Sequence, residues 1–188
     1  MKGANYRVVL DACVLANYTV CDLFLKLAER PRLYSPKWSL KILEETSRVH
    51  GKLKWPADLS ASWRSAVETH FPEALVDDAS CLEPVLVNDP KDRHVLATAI
   101  RAGTFTVVTF NLRDFSPESL ASWDIHAIHP ADYLITLHSI SPDVVIAKLG
   151  DMACPRKICP EECLSKLAKG VPAFAAHVAQ SVGWTIET

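Results

Sequence analysis

This 188-residue chain lacks long apolar runs, glycine clusters, a charge surplus and paired CxxC cysteines. No apolar run approaches the ~20 residues of a membrane span, so no spanning helix is expected. The six glycines stand apart from one another. That leaves no P-loop and no GxGxxG turn, the usual cradles of nucleotide and dinucleotide phosphates. No Ser-His-Asp ordering marks a nucleophilic hydrolase. With a net charge of −2, no global basic field announces a polyanion partner, and any nucleic-acid contact falls to a local basic rim. Cys154, Cys159 and Cys163 cluster without a CxxC pair, and His177 is the only candidate fourth ligand. They therefore read as thiols rather than as a zinc site. The opening MKGANYRVVLD has no signal-peptide core, because its apolar run is short and ends in an acid. A cytoplasmic location with reduced cysteines is the expectation.

Apolar residues supply 49% of the chain, enough for a core of one domain, with or without a helical appendage. Tyr6 to Leu10 is a short β-branched run, expected as a buried parallel strand ending at Asp11. A helix is expected over residues 20–28. A second is expected over 36–50, with Trp38, Ile42 and Val49 as its stripe and Glu45 between them, while Glu44 points to solvent. Leu59, Trp63, Val67 and Phe71 predict a helix over 57–70. A strand is possible near Leu75-Val76. In the stretch from Val87 to Phe115, Asp89-Pro90 reads as an N-cap and first helical position, and Gly103 as the stop. Strand 106–109, helix 117–122 and strand 125–128 complete an alternating α/β pattern. Beyond residue 130 the chain predicts helices over 132–138, 142–152, 160–169 and 172–182. The expected division is an α/β domain over 1–130 and a helical extension over 131–188.

Four acids then share a property. Asp11 and Asp114 follow buried strands, and ligands of open α/β sheets gather beyond carboxyl edges. Glu45 and Asp92 point inward from helices; Asp92 lies within roughly 20–60° of Val95, Leu96 and Ala99 on a helical wheel. Each has a plainer reading. Asp11 caps the next helix, Asp92 is an N3 acid completing a cap, Glu45 pairs with Arg48, and Asn111 and Asp114 belong to a loop satisfying its own backbone. One shared cause covers all four: a divalent cation, since clustered carboxylates otherwise take up protons. Oxygen-only ligands fit Mg²⁺ or Mn²⁺ better than zinc. A DxD phosphoryl-transfer signature is broken by Cys13.

VVLDACVL, LEETSRV, NDPKDRHVLATAI and VVTFNLRDF, in that order and spacing, resemble the PIN-domain nucleases, and among them the VapC-type toxins of toxin–antitoxin pairs. The resemblance covers about Val8 to Ile128, and the DYL…PDVV…L and GVPAFAAHV patches resemble an extension of larger members. It implies a three-layer α/β/α fold with a short, mostly parallel sheet. It implies Mg²⁺- or Mn²⁺-dependent endoribonuclease activity, with Asp11, Glu45 and Asp92 as metal-binding and catalytic acids. Many members carry an Asp where this chain has Asn111, so Asp114 is expected to supply the fourth charge. Thr109 matches a hydroxyl residue that hydrogen-bonds near the site. Lys91, Arg93 and Arg113 are candidate RNA contacts by their place in the chain. An antitoxin partner and a homodimer are also implied. The alternative is a PIN-like scaffold that binds RNA or protein without cutting.

Overall fold

A computed structural model describes residues 6–186; Met1 to Asn5, part of the opening read above for a signal sequence, lie outside the described residues. The strands are β1 (Arg7–Leu10), β2 (Ser35–Lys37), β3 (Thr106–Val108) and β4 (His126–Ile128). The helices are α1 (Ala12–Leu15), α2 (Tyr18–Ala28), α3 (Leu40–Lys52), α4 (Ala57–His70), α5 (Arg93–Ala102), α6 (Pro117–Ala121), α7 (Pro130–Ile140), α8 (Pro142–Ala153), α9 (Pro160–Ala168) and α10 (Pro172–Val182). Contacts gather into two units, one of residues 6–16 and 35–128, the other of 17–34 and 129–186. The helices after residue 129 thus share a unit with α2, a grouping wider than an appendage over 131–188.

The first unit is α/β. Its four strands are all parallel, in the order β2-β1-β3-β4, with Val8 opposite Pro36, Leu10 opposite Val108 and Val107 opposite Ala127. Val8, Val9, Leu10, Val107 and Val108 are wholly buried, as central strands covered on both faces require.

Two local readings are corrected here. The expected helix over 36–50 begins only at Leu40, where Ser39 accepts a hydrogen bond from the Ile42 amide at 3.4 Å. Ser35 to Lys37 instead form the edge strand, where a proline without an N–H is tolerated. Trp38 lies outside the helix and makes a single parallel bridge to Leu75. That bridge is all that forms of the strand expected near Leu75-Val76.

The helix expected to start at Asp89-Pro90 starts at Arg93. Asp89 instead closes a turn, its side chain accepting from the Lys91 amide at 2.9 Å and its carbonyl from the Asp92 amide at 2.9 Å. Gly103 ends α5 at φ 59°, in the left-handed region where glycine is favoured. Helix α4 has the expected bounds, but Val67 is its only buried residue and Leu59 is 48% exposed.

In the second unit α2, α7, α8, α9 and α10 form a helical bundle. Phe24, Tyr34 and Tyr133 pack as an aromatic cluster, and the Tyr34 hydroxyl donates to the Phe24 carbonyl at 2.7 Å. Gly170 permits close packing, since a Cβ there would come within 2.9 Å of Val20. Among the described residues, no helix is long and apolar enough to cross a membrane.

Candidate active site

The site is built where β1 and β3 end. The Asp11 amide donates to the Val108 carbonyl at 3.1 Å, extending the ladder one residue and placing the carboxylate at the sheet's carboxyl edge. Asp11 is 3% exposed. Its Oδ1 accepts from the Ala12 amide at 2.6 Å, so the capping reading holds. Its Oδ2 accepts from Thr109 Oγ1 at 2.7 Å and from Cys13 Sγ at 3.1 Å. Burial raises the Asp11 pKa above the ordinary carboxylate value, with the Glu45 charge adding to it; the Thr109, Cys13 and Ala12 bonds pull the other way. The same burial, with Asp11 beside it, pushes the Cys13 thiol up, so it keeps its proton.

Glu45 stands on the margin of α3's buried line, which runs through Ile42, Leu43, Thr46 and His50. His94 Nε2 lies 3.0 Å from Glu45 Oε2, with the ring N–H angled away from a straight hydrogen bond. That contact is the main cause of a lowered Glu45 pKa. Burial opposes it, and the positive charges of Arg48 and Lys52 assist. Arg48 therefore acts on Glu45, but His94 is the closer partner. Glu44 is exposed, as expected.

Asp92 is the residue before α5, and its side chain caps nothing, which removes the N3-cap reading. It is 9% exposed. Burial pushes its carboxyl up to about 6, followed by the charges of Asp11, Asp114 and Glu45; His94 alone opposes them. The charges of Asp11, Asp114 and Glu45 are thus all felt at Asp92.

Asp114 is half-buried in the turn after β3, its carbonyl accepting from the Asp89 amide at 3.4 Å. Asn111 is exposed, and its amide donates to Thr109 Oγ1 at 3.0 Å. Lys91 and Arg113 are exposed, while Arg93 Nε donates to the Asn88 carbonyl at 3.4 Å. Among the described residues, no three His, Cys, Asp or Glu side chains close into a cage for an ion by themselves.

The sequence reading passes over two residues. Cys13 enters it only as the break in a DxD pattern, although its place two residues after Asp11 is the signal. His94 follows Asp92 by two residues, and nothing in its spacing ties it to Glu45. A cleft of about 540 Å³ is lined by His94 together with Glu44, Asp77, Asp78 and Glu83. Lys41, its one lysine, is paired with Glu83 at 2.8 Å, so the cleft repels a phosphate backbone.

Carboxylates gathered beyond the carboxyl edge of a parallel sheet define an α/β protein with an acidic site. Among curated proteins, the chain is similar to one from Mycobacterium tuberculosis (strain ATCC 25618 / H37Rv) named "Putative ribonuclease VapC50". The two are 33% identical over 132 residues, spanning 66% of this chain and 77% of that protein. No family model matches the chain, and no solved structure matches it. The chain belongs to the VapC-type ribonuclease family.

Proposed function

We propose that this chain is a Mg²⁺- or Mn²⁺-dependent endoribonuclease with a PIN-like fold, acting on RNA as the toxin of a toxin–antitoxin pair. The observation that carries the reading is Asp92, a buried acid that caps no amide and whose carboxyl is pushed up to about 6 by burial first and then by the charges of Asp11, Asp114 and Glu45. The donor set fits a hard divalent cation. It offers carboxylate oxygens, and its one thiol keeps its proton. Mg²⁺ is commonly held by one or two carboxylates plus waters, so the lack of a closed three-ligand cage is compatible with it.

Asp11, Asp92, Asp114 and Glu45 would hold the metal between them, one or two directly and the others through its bound waters. When bound, it supplies an activated water and offsets charge on the leaving oxygen. Thr109 fixes the Asp11 carboxylate, and His94 turns Glu45. Lys91, Arg93 and Arg113 rim the site in sequence and would meet RNA phosphates. A homodimer neutralised by a small antitoxin in the cytoplasm completes the reading, on family membership alone.

The test is cleavage of cellular RNA by purified protein. Wild type should cut with Mg²⁺ and stop on chelation, and Asp11→Ala and Asp92→Ala should not cut. Equal cleavage by those variants would reject the assignment. The scaffold reading is favoured by the exposed Asn111 in place of an acid. RNA bound but left whole in both Mg²⁺ and Mn²⁺ would select it.

A further inference from the structure

Two successive amides after β3 reach the same carboxylate oxygen through different side chains. The Phe110 amide donates to Cys13 Sγ at 3.3 Å, and Cys13 donates to Asp11 Oδ2 at 3.1 Å. The Asn111 amide donates to Thr109 Oγ1 at 3.0 Å, and Thr109 donates to Asp11 Oδ2 at 2.7 Å. Cys13 Sγ and Thr109 Oγ1 also lie 3.4 Å apart. With both hydrogens directed to the shorter contacts on Oδ2, thiol and hydroxyl each accept one proton and pass another on, so each link polarises the next. Both relays tie the turn after β1 to the loop that carries Asn111 and Asp114.

A carboxylate has about four lone-pair sites, two on each oxygen. Cys13 and Thr109 fill both on Oδ2. Ala12 fills one of the two on Oδ1. One remains, and it is on Oδ1. We infer that Cys13 is a positioning residue, which with Thr109 occupies Asp11 Oδ2 and so presents Oδ1 as the single oxygen through which Asp11 takes a divalent cation. The inference rests on the metal-dependent reading above. It assigns Cys13 a role as hydrogen-bond donor to the carboxylate, not as ligand or nucleophile. Removing such a partner behind a metal ligand commonly weakens binding 10–100-fold.

The test compares wild type, Cys13→Ser, Cys13→Val and Asp11→Ala. Mn²⁺ affinity is measured by electron paramagnetic resonance, and the Cys13 S–H stretch by infrared difference spectra of wild type against Cys13→Ser. Serine keeps both a donor and an acceptor, so Cys13→Ser should bind Mn²⁺ close to wild type. Valine keeps neither, and Cys13→Val should bind about tenfold more weakly. The S–H band should stand at the lowered frequency of a bonded thiol in metal-free wild type and rise in Asp11→Ala. This second readout needs no metal and no folded valine variant. Equal Mn²⁺ affinity in the serine and valine variants, with binding lost in Asp11→Ala, would overturn the positioning role alone. A free-thiol band in wild type would do the same. Wild type that binds no Mn²⁺ would bring down the metal reading and this role with it.

Discussion

Asp92 stands before α5 with its side chain capping no amide, and burial together with Asp11, Asp114 and Glu45 pushes its carboxyl up to about 6. An acid raised in the folded state holds its proton more tightly there than in the unfolded chain. Its contribution to stability is therefore complete below about 4 and is lost as pH rises through about 6. Metal-free protein should show a falling thermal midpoint over that window. Added Mg²⁺ should oppose the fall on the alkaline side, where the carboxylates are ionised. Asp92→Asn should flatten much of the slope and leave the part due to Asp11, which is shifted in the same direction. A slope unchanged in Asp92→Asn would show that the charge strain lies elsewhere.

At this scale the sequence is informative about acids. A carboxylate on an apolar stripe or at the end of a buried strand is anomalous on its own terms, so Asp11, Asp92 and Glu45 announce themselves. Cys13 is marked only by its place two residues after Asp11, and His94 not at all, since its partner Glu45 is distant in the chain and a lone imidazole fits a core equally well.

Helices are legible where a proline opens them, as in α8 to α10, and where apolar spacing runs on, as in α4. Legibility fails where an element is short. Strand β2 has three residues, one of them proline, and its strand character comes from pairing with β1, which no local pattern encodes. The same tertiary override moves Trp38 out of α3, while the start of α5 shifts from Pro90 to Arg93 because Asp89 closes a local turn instead of capping the helix. The end of α5 is the opposite case, set by one residue. Gly103 at φ 59° would place a Cβ no closer than 3.8 Å to Arg7, an ordinary contact. Gly103→Ala therefore tests conformation and not space. It should destabilise the protein by about 1 kcal/mol, the cost of a left-handed alanine. Urea unfolding with an unchanged m-value would check it; a neutral result would mean that α5 ends without needing the left-handed turn.

A whole chain of net charge −2 with an acid-lined cleft beside its acidic site has little long-range attraction for RNA. Binding must then rest on a few short-range cations, and Lys91 and Arg113 are exposed beside the two segments that deliver Asp92 and Asp114. Few phosphate contacts mean a shallow dependence of affinity on salt, because each contact to single-stranded RNA contributes about 0.7 to the slope of log K against log salt. Lys91→Ala and Arg113→Ala, each made on an Asp11→Ala background that keeps the RNA whole, should flatten that slope by about 0.7 apiece. They should weaken binding similarly across RNA sequences, since phosphate contacts position without reading bases. Fluorescence anisotropy on a short labelled RNA over a salt series measures both quantities. A slope that neither substitution moves would place the RNA path on another face of the protein, and the rim formed by these two residues would have to be given up.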